Sequence, residues 1–235
     1  MYRKYTRVLI SQDLCQAAVR GGQCAAALGL FGESVPLYRA AIALGFPNLQ
    51  GELAKAEQMR DDVRKAAELL EQENGARAKV CLRDAHAAAP RAVHVLHLLA
   101  RAHLLCQDFE SARSVSKQLV TAVQRLPGAV RSAPETPGNL VMAVLLARAL
   151  CGLGKVDEAR SELEQALFGS GAADAGAEDA KTLLQLARSL EQSKQEANML
   201  FNRGLVSKAL EKYTEAQILK STLYNHFYIV NVLGR

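Results

Sequence analysis

The chain has 235 residues, 49% of them hydrophobic, with aromatics at only 5%, no tryptophan and a formal net charge of +5. That length suits one large domain or two small ones, with enough apolar residues to bury a core. Lys and Arg alternate with Glu and Asp, as in "EQMRDDVRKAAELLEQE" (57–73). Such mixing describes solvated helix faces and excludes the basic stripe of a nucleic-acid surface.

Proline is rare, with 6 in all, while Ala and Leu dominate, so an all-α fold is expected. "YRKYTRVLIS" opens the chain as a helix. "GLFGESVPLYRAA" (29–41) follows as a glycine turn leading into a helix. "GFPNLQ" makes the next turn, and a long charged helix is expected near 51–73. "ENGARAKVCLRDA" (73–85) and "QDFESARSVSKQL" (107–119) repeat the turn-then-helix pattern, the second behind the apolar helix "LHLLARAHLL". Residues 124–138, "QRLPGAVRSAPETPG", hold three prolines and cannot continue a helix. "VMAVLLARALCGL" then leads into "GKVDEARSELEQA" (154–166), the clearest instance of the pattern. "GSGAADAGA" (169–177) reads as a Gly/Ala loop. An over-long helix near 178–202 leads to the last instance, "GLVSKALEKYTEA" (204–216).

The pattern is a turn, then a helix with small residues that let neighbours approach. The first small residue is Ser34, Ala78, Ala112, Ala159 and Ala209, at spacings of 44, 34, 47 and 50 residues. One helix pair cannot bury both of its apolar stripes, whereas stacked pairs bury a continuous core and leave a concave face. Leu82, Leu163 and Tyr213 are the large residues expected to fill the space between helices.

This pattern resembles the tetratricopeptide repeat (TPR) family over nearly the whole chain, and one spacing equals that family's period of about 34 residues. The resemblance implies a right-handed superhelical solenoid of helix–turn–helix repeats, about five complete, with partial ones at the ends. Its blocks would be 1–123, a Pro-rich loop at 124–138, a repeat at 139–168, a loop at 169–177, and a long helix with the last repeat at 178–235. The order of parts is similar to the cytosolic co-chaperones that join TPR repeats to a J domain. "YRKYTRVLIS" reads as the second helix of a repeat and "TLYNHFYIVNVLGR" (222–235) as the first helix of another, so a piece of a longer protein is expected. The His-Pro-Asp signature of a J domain does not occur in the chain.

The candidate binding residues lie in "KQEAN" (194–198). Lys194 and Asn198 are four apart and share a helix face. The TPR resemblance implies a carboxylate clamp here, in which a Lys and an Asn grip the terminal carboxylate of the EEVD-type tail of heat-shock chaperones. It implies a second Asn from the next helix, for which Asn231 is the matching position and Asn225 a weaker one. The family completes its clamp with a Lys and an Arg from a third repeat, which would lie past Arg235. Half a clamp is therefore expected, with weak binding. A cation and neutral donors converging on a carboxylate suit that task.

Other motifs read as structure. His94 and His97 are i, i+3 and lack the spacing and Glu of a zinc-protease helix, and His103 points elsewhere, so ordinary helix packing is expected. His86 and His226 have no partner in view. "GLGKVDEA" follows a helix, so it is a repeat turn and not a phosphate loop. No nucleophile motif occurs, and neither enzymatic activity nor a cofactor or metal is expected. Cys15, Cys24, Cys81, Cys106 and Cys151 form no C-x-x-C pair and sit on predicted helices, which fits free thiols in a reducing, cytoplasmic setting. No apolar run reaches membrane-spanning length, and the apolar stretch in "MYRKYTRVL" is too short for a signal peptide. The function expected is an interaction module of a co-chaperone, binding tails of the seventy- and ninety-kilodalton chaperones, with no nucleic acid or membrane. The alternative is a TPR scaffold for a non-chaperone complex.

Overall fold

The computed structural model describes the backbone of residues 2–126, 137–169 and 176–233, and the side chains of 13–126, 137–169 and 176–222. The described residues form ten α-helices and no strand. In chain order these are α1 (Tyr2–Ala27), α2 (Phe31–Ala43), α3 (Gln50–Glu71), α4 (Gly75–Ala88) and α5 (Val93–Leu105). They continue with α6 (Phe109–Gln124), α7 (Asn139–Gly152), α8 (Val156–Gly169), α9 (Ala177–Asn202) and α10 (Val206–Leu233). A single 3-10 turn, Pro47–Leu49, joins α2 to α3.

Each helix packs against its neighbours in sequence, so the helices lie in adjacent pairs. The odd-numbered helices also meet one another, α3 with α5, α5 with α7, and α7 with α9. Helices α3, α5, α7 and α9 therefore form one continuous row.

Five turns between paired helices share one geometry. Gly29, Glu73, Gln107, Gly154 and Gly204 each have a left-handed backbone, with φ of 76°, 59°, 56°, 78° and 77°. At each turn the left-handed residue donates its N–H to the carbonyl three residues back, and the next residue donates to the carbonyl five back. Gly154 to Cys151 and Lys155 to Leu150, both 2.9 Å, are one such pair. Two carbonyls that a helix end leaves orphaned are thus satisfied within the turn. The carbonyl of that next residue then accepts the first bond of the following helix, from Ser34, Ala78, Ala112, Ala159 or Ala209. These five small residues are at most 1% exposed. Backbone bonding thus fixes the residue whose small side chain must enter the interface.

The core divides at α7. Met142, Leu145 and Ala149 join the cluster built by α3–α6, which includes Leu70, Leu82, Leu96 and Leu119. Leu140, Val144, Leu146, Leu150 and Cys151 face the other way, onto Leu163, Leu183 and Leu190 of α8 and α9. The near-continuous apolar run of α7 follows from burial on both sides. Leu82 and Leu163 fill the interhelix space as expected, but Tyr213 is 40% exposed.

Both ends differ from expectation. Tyr2–Ala27 is one helix, with no break after "YRKYTRVLIS", and α10 runs unbroken into "TLYNHFYIVNVLGR". No glycine or proline lies between Tyr2 and Arg20 or between Val206 and Leu233, so neither stretch contains a residue that stops a helix.

Two turns carry a side chain where the other three have glycine. A non-glycine residue in the left-handed region costs about 1–2 kcal/mol, offset in part by the larger unfolded-state entropy of glycine. Gln107→Gly should therefore stabilise the fold by about 0.5–1 kcal/mol, a rise in Tm of roughly 1–4 °C for a chain of this length. Gly154→Ala should destabilise it by about 1 kcal/mol, although an added Cβ would meet no atom within 4 Å. Thermal unfolding followed by circular dichroism measures both, and equal effects of one sign would contradict a backbone origin.

Candidate functional site

The site residues follow from how α9 is pinned. Its buried stripe is Ala180, Leu183, Leu184, Ala187, Leu190, Ser193 and Ala197, recurring at three- and four-residue steps. Lys194 and Asn198 each follow a stripe residue by one position, so both turn about 100° away from the core and share an exposed flank. Lys194 has no hydrogen-bond or ion-pair partner among the described residues. The Tyr213 hydroxyl, from α10, donates to Asn198 Oδ1 at 2.5 Å. With its oxygen engaged, the Asn198 amide is left with its N–H donors for a ligand.

Asn231 lies on the same unbroken helix as Tyr213, about 27 Å further along the axis at 1.5 Å per residue. Its side chain, with those of Asn225 and His226, lies outside the described residues. Lys194 and Asn198 lie on one exposed flank of α9.

Ion pairs brace the surroundings. Arg188 meets Glu164 at 2.8 Å and Arg160 meets Glu191, locking α9 to α8. Lys212 of α10 bridges Glu196 at 3.1 Å and Glu215 at 2.8 Å. Gln192 and then Lys212 hold the Glu196 carboxyl below its usual range, while Glu215 and then Glu196 raise Lys212. Lys212 is thus committed to neighbouring carboxylates, whereas Lys194 is not.

The histidines behave as helix residues. His94 is exposed, and His97 and His103 are half-buried. Burial, followed by the charges of Arg101 and His94, pushes His97 down to about 4. His103 is also lowered, by burial, although its Nδ1 lies 2.9 Å from Asp108. Asp108 caps α6 by accepting from the Ser111 N–H at 3.3 Å. Burial pushes the Asp108 carboxyl up, but hydrogen bonds from Ser111 and His103 outweigh that and leave it lowered. Among the described residues no three His, Cys, Asp or Glu side chains could hold a metal ion. Among the same residues no helix is long and apolar enough to cross a membrane.

The sequence reading missed the cationic lining between α5 and α7, where Arg101 and Arg148 face one cleft with His97. The signal was present in "LLARAHLL" and "LLARALCG", where Arg101 and Arg148 hold the same place relative to their turns.

No protein-family model, curated protein or solved structure matches the chain. Its class therefore rests on its own geometry, an all-helical array of adjacent pairs joined by one recurrent turn, consistent with a helical repeat.

The His97 shift sets a pH dependence. Its pKa falls from 6.5 to about 4 on folding, so between those values the unfolded chain carries a proton that the folded chain excludes. Stability is then present in full above about pH 6.5 and is lost as pH falls toward 4, by at most about 1.4 kcal/mol per unit. Urea unfolding at pH 7 and pH 5 should show this loss, and His97→Gln should flatten it. A slope unchanged in His97→Gln would assign the loss to other groups.

Proposed function

We propose that the chain is a protein-interaction module of a co-chaperone, a right-handed TPR superhelix of about five repeats acting in the cytoplasm. It takes the acidic, EEVD-type tails of seventy- and ninety-kilodalton heat-shock chaperones. The observation that carries this reading is Lys194 beside Asn198 on the exposed flank of α9, with Tyr213 holding the Asn198 oxygen. A cation and an oriented amide one helical turn apart suit a terminal carboxylate. The recurrent left-handed turns and the buried small residues after them support the resemblance to TPR repeats. The proposed clamp consists of Lys194 and Asn198, with Asn231 as the second Asn that the TPR resemblance implies.

Two donors make half a clamp, so weak, salt-sensitive binding is expected. A fluorescein-labelled peptide ending in Glu-Glu-Val-Asp should bind, and amidation of its terminal carboxylate should weaken it. Lys194→Ala should cost about 1.5–3 kcal/mol, the range for a hydrogen bond to a charged group. Fluorescence anisotropy measures both changes. Equal binding of the free and amidated peptides would remove the clamp.

A second reading, a scaffold for a non-chaperone complex, is favoured by one observation. The last helix pair exposes Met199, Phe201, Val206, Leu210 and Ile218, and a shallow groove of about 490 Å³ runs past Leu210 and Ile218. Exposed apolar side chains beside such a groove suit an interaction site.

A further inference from the structure

We draw no further inference here: the strongest candidate, the shallow apolar groove along Leu210, Thr214 and Ile218 on α10, carries nothing, because nothing in the structure shows what covers it.

Discussion

The recurrent left-handed turn is the constraint on which the rest depends. A helix end leaves carbonyls without partners, and the turn answers two of them while reversing the chain. Because the next helix begins from the residue that closes the turn, the angular phase of each even-numbered helix is fixed relative to its partner. The first small residue then falls into the interface in every pair, from Ser34 to Ala209. A larger side chain there would have to push the helices apart, and overpacking of that kind costs about 1–3 kcal/mol. Turn bonding and interface packing are thus one device, used five times among the described residues.

The same device explains what could be read in the sequence. The positions of the turns were legible because their left-handed residue is Gly in three cases and because Asn74 and Asp108 mark helix starts in the other two. Glu73 and Gln107 show the limit, since neither residue type announces a positive φ. The small residues were legible for the same reason, being a fixed count from each turn. Helix ends without a turn were not. Nothing in Tyr2–Arg20 or in Val206–Leu233 breaks a helix, and analogy with a repeat supplied breaks that local chemistry does not. Tyr213 fills a repeat position that is elsewhere buried, yet it stands 40% exposed and turns its hydroxyl to Asn198.

Of the candidate site, the Lys194 and Asn198 pair could be read from an i, i+4 spacing alone, because helix periodicity decides their common face. The role of Tyr213 could not, since it comes from packing between α9 and α10. The arginine cleft was illegible for a deeper reason. Arg101 and Arg148 lie 47 residues apart in the chain, the spacing of two successive turns. Each is unremarkable on its own helix. Only the contact between α5 and α7, which skips α6, sets them facing one space.

That contact joins architecture to chemistry. Where α5 meets α7 past α6, residues at equivalent places relative to their turns become neighbours. An interior built only for stability would place aliphatic residues at such positions, since well-packed apolar side chains often match or exceed a buried ion pair of similar volume. Val141, Val144 and Leu145 do so on the adjoining turn of α7. Arg148 departs from that pattern while Leu146, Ala147, Ala149 and Leu150 around it are buried. Its guanidinium meets Asp179 of α9 at 3.6 Å, which ties α7 to the head of α9. An arginine at the seam between the two halves of the core thus adds an ionic contact to a helix that is otherwise held by apolar packing on both sides.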